Sequence, residues 1–166
     1  IVAIPLIAAL FIDGKYAVER EVTINKPKDV VFDYVKLLKN QDNFSVWAKI
    51  DPAMKKTFTG TDGTVGFISA WESDNKDVGK GEQEIKAIKE GERIDFELRF
   101  LEPFEATDNA YMTTEELDSA TVKVKWGFYG EMAYPMNVMM LFMDMEEMIA
   151  GDFETGLNNL KAELEK

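Results

Sequence analysis

Hydrophobic and polar residues alternate along most of the chain between residues 16 and 131. In the clearest stretch, apolar residues alternate with charged ones: Ile94, Phe96, Leu98 and Phe100 against Asp95, Glu97 and Arg99. A period of two is typical of a strand with one buried face. Similar stretches, separated by turns rich in Gly, Asp and Ser, cover residues 16–25, 54–59, 65–72, 79–89, 106–117 and 120–131. The pattern therefore predicts an antiparallel sheet of about six or seven strands.

Two other parts of the chain have helical spacing. Apolar residues recur every three or four positions after Pro27, and an aromatic connector follows, so we expect two short helices after the first strand. After Pro135 one apolar stripe continues to the C-terminus: Val138, Phe142, Met145, Ile149, Phe153, Leu157, Leu160 and Leu164. It predicts one long straight helix, in which Gly151 and Gly156 let the backbone approach the sheet. A sheet with segregated helices is an α+β fold.

The composition is that of a folded domain with an acidic surface. Hydrophobic residues make up 46% of the 166 residues, charged residues make up 30%, and the formal net charge is −12. Such a charge keeps a protein in solution and repels nucleic acid, so we expect no nucleic-acid partner.

The absence of Cys and His excludes several kinds of chemistry. There is no thiolate nucleophile, no Cys-based metal site, and neither the commonest general base nor the commonest transition-metal ligand. Asp144, Glu146 and Glu147 lie close together in the sequence, but they do not form a loop with ligands at alternate positions. They indicate a solvated helix face, and we expect no metal and no cofactor.

Residues 1–12 are uncharged and almost wholly apolar, and Asp13 ends the run. Twelve residues are too few to span a bilayer, which needs about 20. The segment has three interpretations: the end of a membrane anchor, a remnant of a signal sequence, or an element packed on the domain. We favour the anchor, and so divide the chain into an apolar segment (1–15) and a ligand-binding domain (16–166). The expected location is membrane-associated, with the extracytoplasmic side favoured and a cytoplasmic location as the alternative.

Several local motifs, in this order and spacing, resemble the polyketide cyclase/dehydrase branch of the START-like (SRPBCC) superfamily. They are Val18-Glu-Arg20, Ile24-Asn-Lys-Pro27, Val31-Phe32, Trp47 with Asp51-Pro52, Gly63-x-x-Gly66 with Trp71, Gly79-x-Gly81 before Gln83 and Ile85, and Asp152-Phe-Glu-x-Gly156-Leu157 before Leu160-Lys161. The resemblance runs from about Tyr16 to the C-terminus. It implies a helix-grip fold, in which a curved sheet surrounds the C-terminal helix and leaves an elongated cavity. It implies no particular reaction, because the superfamily includes lipid carriers, hormone receptors and cyclases.

Methionine and aromatic residues are the candidate lining of such a cavity. Met is flexible and suits variable apolar partners, and seven of the nine Met residues lie between Met132 and Met148. The alternatives for this cluster are a Met-packed core, or a surface that contacts a second copy or a membrane. The candidate ligand-binding residues are Trp71, Phe96, Phe100, Tyr111, Trp126, Phe128, Met136, Met139, Met140 and Met143.

Polar groups that orient a ligand are harder to select from the sequence. Glu131 ends the last strand beside the Met cluster and is the candidate catalytic carboxylate. Arg20 shares a strand face with apolar residues, so it would need a partner such as Glu82 or Glu84 if it were buried.

Three functions are compatible with these features. The leading hypothesis is binding or carriage of an apolar small molecule or lipid. The alternatives are a cyclase or dehydratase that uses a cavity carboxylate, and a protein-interaction module that docks a partner on the Met-rich helix start.

Overall fold

A seven-stranded antiparallel sheet forms most of the domain. The computed structural model describes residues 10–142 and 144–166. The strand order across the sheet is β1-β7-β6-β5-β4-β3-β2, so every connection after β2 joins neighbours. The strands are β1 (Lys15–Ile24), β2 (Lys55–Thr59), β3 (Ile68–Glu72), β4 (Lys80–Lys89), β5 (Arg93–Glu102), β6 (Ala106–Asp118) and β7 (Thr121–Glu131).

Two short helices and one long helix accompany the sheet. Helix α1 (Lys28–Val35) and helix α2 (Gln41–Phe44) follow β1, and α3 (Met145–Leu164) ends the chain. Short 3₁₀ turns occupy Leu38–Asn40, Trp47–Lys49 and Met136–Leu141. The helix-grip architecture expected from the sequence is confirmed, including the strand number and the two short helices.

One face of the sheet is concave and carries the hydrophobic core. Alternate residues of each strand point to this face, as the period of two predicts. Helix α1 packs on β6 and β7, while α3 packs mainly along β1. The fully buried core side chains include Ile24, Val31, Phe32, Val35, Ile85, Ile94, Phe96, Met112, Leu157 and Leu160. The opposite, convex face carries ion pairs such as Arg99 with Glu82 and Glu84.

The C-terminal helix is shorter than the sequence pattern predicts. It begins at Met145, where the Oδ1 of Asp144 caps it by accepting a hydrogen bond from the backbone N–H of Glu147 at 3.0 Å. Met136–Leu141 forms a 3₁₀ turn instead, and the Nδ2 of Asn137 donates to the carbonyl oxygen of Ile12 at 2.9 Å. The prediction of one straight helix from Pro135 onward was therefore wrong, because the capping carboxylate starts a new helix.

The two helix glycines have different surroundings. A Cβ at Gly156 would lie 2.9 Å from the ring of Trp126, so this glycine allows close packing on the sheet. A Cβ at Gly151 would meet no atom within 4 Å. The packing role predicted for Gly156 is confirmed, and the same prediction for Gly151 was wrong.

Arg20 lies on the inward-facing side of β1 but remains half-exposed. Its Nε pairs with Oε1 of Glu154 on α3 at 2.9 Å. The partners expected from the sequence, Glu82 and Glu84, lie on the convex face instead. Arg20 therefore ties the edge strand to the long helix. In the part of the chain that the structure describes, no helix is long and apolar enough to cross a membrane.

Candidate functional site

A cavity of about 490 Å³ lies between the concave face and the helical connector that contains α2. This volume is within the range of small-molecule sites. The cavity extends to the end of the sheet where the β3–β4 and β5–β6 turns lie. Its exposed lining residues Ile50 and Phe104 mark the opening there. Strand β1 begins and β7 ends at the same end of the sheet.

Aromatic rings form much of the wall. Trp126 stacks on Phe153 of α3 with ring centroids 4.5 Å apart, and Trp47 contacts both rings edge-on. On the other side of the cavity, Trp71 meets Phe100 edge-on at 6.0 Å. All three Trp residues of the chain line the cavity. An apolar molecule inside would therefore contact rings from both the sheet and α3.

Small residues on the concave face create room for the larger lining groups. A Cβ at Gly81 would lie 2.4 Å from the ring of Trp71. A Cβ at Gly130 would lie 1.8 Å from Oδ1 of Asp108 and 2.7 Å from the hydroxyl oxygen of Tyr16. Neither position accepts a side chain without displacing a neighbour, so these glycines are part of the cavity's construction.

Four polar side chains lie in one row across the concave face, and Leu98 and Gly130 interrupt this row. The register pairs Ser69 with Gln83, Gln83 with Leu98, and Leu98 with Asp108 on successive strands. Gly130 and Tyr16, which are paired with each other, continue the row on β7 and β1. Since neighbouring strands lie about 4.8 Å apart, the row crosses the whole width of the cavity. The row supplies hydrogen-bonding groups to a cavity whose lining is mostly apolar.

Asp108 and Tyr16 form a buried pair within this row. The hydroxyl of Tyr16 donates to Oδ1 of Asp108 at 2.7 Å. Asp108 is only 4% exposed and Tyr16 only 9%. Burial raises the pKa of the Asp108 carboxyl, although the hydrogen bond from Tyr16 opposes this shift. Burial and the neighbouring carboxyl also raise the pKa of the Tyr16 hydroxyl, so that phenol stays protonated.

Gln41, on α2, contributes a polar group from the opposite wall. Its side chain lines the cavity, and the residue is 9% exposed. Its Nε2 is buried and has no hydrogen-bond partner among the residues that the structure describes. A buried donor without a partner costs stability, and such groups in native proteins call for an explanation.

The structure divides the predicted aromatic lining residues into two groups. Trp71, Phe100, Trp126 and Phe128 line the cavity. Phe96 shares the concave face but packs in the solid core at 1% exposure.

Tyr111 points to the convex face. Its hydroxyl donates to Glu19, and the guanidinium of Arg93 lies 4.1 Å from its ring centroid. Burial and the bond to Glu19 raise the pKa of Tyr111 to about 12.

The Met cluster does not form the expected wall. Met136 and Met139 are exposed, and neither they nor Met140 lie among the lining residues; Met143 lies outside the described residues. The Met residues that do line the cavity are Met54, Met132 and Met145. The 3₁₀ turn at Met136–Leu141 places Met136 and Met139 on the surface and not in the cavity wall.

Glu131 is not the carboxylate inside the cavity. It is exposed at the end of β7, on the face opposite Gly130. Asp108 was missed as a candidate, although strand alternation could have revealed it: Asp108, Ala110, Met112 and Thr114 share one face of β6. Within residues 10–142 and 144–166, no three acidic side chains come together as a metal site.

Comparison with known proteins identifies the family. The family model described as polyketide cyclase/dehydrase and lipid transport matches residues 15–165. Among curated proteins, none matches the chain.

Solved structures share the fold at low sequence identity. A protein from Thermobifida fusca is 19% identical, with 87% of this chain and 90% of that chain covered, at a TM-score of 0.59. Major latex-like protein 151 from Panax ginseng is 13% identical, with 90% and 97% covered, at a TM-score of 0.62. DynU16, a putative protein of the dynemicin biosynthetic locus, is 13% identical, with 90% and 47% covered, at a TM-score of 0.60. The family match spans nearly the whole chain, and the chain therefore belongs to the polyketide cyclase/dehydrase and lipid transport family.

Proposed function

We propose that this protein binds an apolar small molecule or lipid in the cavity between its sheet and its helices. Family and fold indicate hydrophobic ligand binding or a polyketide cyclase-like role. The observation that carries the proposal is the cavity of about 490 Å³ with aromatic walls from β3, β5, β7 and α3. Removing such an apolar surface from water favours association with an apolar ligand.

A cavity-filling substitution tests this proposal. Leu98 points into the cavity from β5, whereas Leu101 on the same strand is 51% exposed and does not line it. We expect Leu98→Trp to weaken binding of the apolar dye N-phenyl-1-naphthylamine by about tenfold or more, because the new ring occupies the site. Leu101→Trp is the matched control and should bind as the wild type does. Equal affinity in the two variants would contradict binding in this cavity, and native mass spectrometry of the purified protein would show which lipid co-purifies.

Asp108 supports a second candidate function, a cyclase-like enzyme. Proton removal from an activated carbon needs a carboxylate with a raised pKa inside the cavity, and Asp108 has that position and that direction of shift. The test is turnover of a linear polyketone thioester, followed by liquid chromatography and mass spectrometry. Asp108→Asn should abolish product formation and leave binding of the dye intact, whereas Glu131→Gln should have no effect. If the wild-type protein forms no product, the enzyme hypothesis is contradicted and binding remains the proposed function.

We also propose that the apolar N-terminal segment tethers the domain to a membrane. Residues 1–12 carry no charge, and Leu10 and Phe11 are 66% and 85% exposed. Removing residues 1–9 keeps Ile12, whose carbonyl accepts the bond from Asn137. The shortened chain should move from the membrane pellet to the supernatant with an unchanged melting temperature. Retention in the pellet would contradict the tether.

A further inference from the structure

The buried amide of Gln41 is the first sign of what the cavity binds. The amide Nε2 carries two hydrogens that can be donated, and it finds no acceptor in the described chain. The neighbouring surface is mixed, since the apolar Leu38 and Trp47 line the cavity from the same connector together with Asp42 and Ser45. Nε2 itself has no accessible surface, so a turn of the Gln41 side chain would bring this donor to a ligand oxygen in the cavity, whereas a plain hydrocarbon would leave it unpaired.

The Asp108–Tyr16 pair, on the opposite wall, is the second sign. Tyr16 donates to one carboxyl oxygen of Asp108, and no other hydrogen-bond partner of this carboxyl is found in the described part of the chain. A carboxylate has about four acceptor positions, so Asp108 keeps capacity for a donor from the ligand. The pair lies directly over Gly130, where a Cβ would come within 1.8 Å of Oδ1 of Asp108.

We propose that Gln41 and Asp108 recognise an uncharged, hydroxyl-bearing ligand whose remaining surface is apolar. The inference rests on the proposed binding function and deepens it. The amide of Gln41 donates to a ligand oxygen, and the carboxylate of Asp108 accepts from a ligand hydroxyl. A hydroxyl group serves both purposes, since it is a donor and an acceptor. A ligand carboxylate, in contrast, would add a negative charge to a lining that contains four acidic residues and one cation, Lys56, which already pairs with Asp42.

Two probes with the same alkyl chain separate the polar contribution from the apolar one. The probes are 1-decanol and 1-chlorodecane, and displacement of N-phenyl-1-naphthylamine measures both affinities. In the variant Gln41→Met, which replaces the amide with an apolar side chain of similar length, we expect about fivefold weaker binding of 1-decanol. Binding of 1-chlorodecane should change by less than about twofold, because it makes no hydrogen bond to the amide.

The same variant should have a higher melting temperature than the wild type in the absence of ligand. Removing a buried donor that lacks a partner stabilises the folded state. A purely structural role for Gln41 would give the opposite result, with lower stability and no preference among probes. Asn43→Met is the matched control, because Asn43 carries the same amide on the same helix but is exposed and does not line the cavity. Equal losses of 1-decanol affinity in the two variants would overturn the assignment to Gln41.

Decanoate tests the contribution of Asp108. At pH 8 we expect the wild type to bind decanoate more weakly than 1-decanol, and Asp108→Asn to bind decanoate about fivefold more tightly than the wild type does. This substitution keeps an oxygen that accepts from Tyr16, so the fold should be preserved. Unchanged decanoate affinity in Asp108→Asn would overturn the role of Asp108.

The outcomes distinguish failure of the inference from failure of the proposed function. If neither 1-decanol nor 1-chlorodecane displaces the dye from the wild type, the proposed function fails and the inference fails with it. If both displace it and Gln41→Met changes neither affinity, the inference alone is overturned. Gln41 and Asp108 lie on different walls of the cavity. If one of the variants Gln41→Met and Asp108→Asn does not fold, the other variant still tests the inference.

Discussion

The concave face of the sheet is filled at one end and hollow at the other, although the same strands build both ends. At the filled end, large inward residues such as Ile24, Val122, Val124 and Ile94 are 0% exposed beneath α1 and the last turns of α3. At the hollow end, the inward positions include Gly81, Gly130, Ala106 and Ser69. The difference teaches that alternation decides which face a residue occupies, while side-chain size decides whether that face is filled.

The largest expected effect comes from truncating one phenylalanine at each end. Phe96 and Phe100 share the concave face of β5, but Phe96 is 1% exposed in the core and Phe100 lines the cavity. Phe96→Ala should lower the free energy of unfolding by about 3–5 kcal/mol, because it opens a void in packed surroundings. Phe100→Ala should cost about 1 kcal/mol, because it enlarges an existing space. Urea denaturation measures both, and equal losses would show that the two ends are packed alike.

A methyl group added at the hollow end should have the next largest effect. Gly130→Ala places a carbon only 1.8 Å from the present position of Oδ1 of Asp108, so this side chain must move. Displacing this pair should lower the free energy of unfolding by about 1–3 kcal/mol. If Asp108 and Tyr16 rotate aside freely, the urea midpoint will equal that of the wild type, and the tight fit described above will be refuted.

Asp108 should also make the hollow end sensitive to pH. Its pKa in the folded protein is raised by burial, so folding favours the protonated carboxyl. Its contribution to stability is full below the ordinary Asp pKa and is lost as the pH rises through the raised value. We therefore expect Asp108→Asn to gain stability relative to the wild type between pH 3 and pH 8. Thermal unfolding of both proteins across this range measures the difference, and a constant difference would contradict the shift.

The smallest expected effect lies outside both ends. No atom is within 4 Å of a Cβ at Gly151, so Gly151→Ala should raise the free energy of unfolding by about 0.5–1 kcal/mol through helix propensity alone. The measurement is again urea denaturation. A loss of stability would reveal a packing contact of this helix face.

The fold could be predicted well from the sequence, because strand alternation and turn residues are local signals. The strand ranges on β4 to β7 agree with the observed bounds to within a few residues. The start of α3 was missed, although Asp144 followed by Glu147 is a common helix-start pattern. The apolar stripe continued through Phe142 and therefore concealed the break between the 3₁₀ turn and α3. In the structure Phe142 is 82% exposed.

The site could be predicted only in part. Residue type suggested the aromatic positions, but it does not show how deeply a side chain is buried or which face of the strand it occupies. Phe96 is buried in the core beyond the cavity, and Tyr111 lies on the convex face of β6. Asp108 could have been found by following the alternation of faces along β6. The partnerless amide of Gln41 could not, because a buried and unpaired donor is visible only when its neighbours in space are known.

The position of β1 gives any N-terminal anchor a mechanical consequence. Only Asp13 and Gly14 separate Ile12 from the first residue of β1, which begins at the hollow end of the sheet. Ile12 is itself hydrogen-bonded to Asn137 and Gly14 to Met132, so no slack chain would separate an anchor before Ile12 from the domain. A bilayer holding the residues before Ile12 would then lie close to the opening of the cavity. A ligand leaving that bilayer would need to cross very little water.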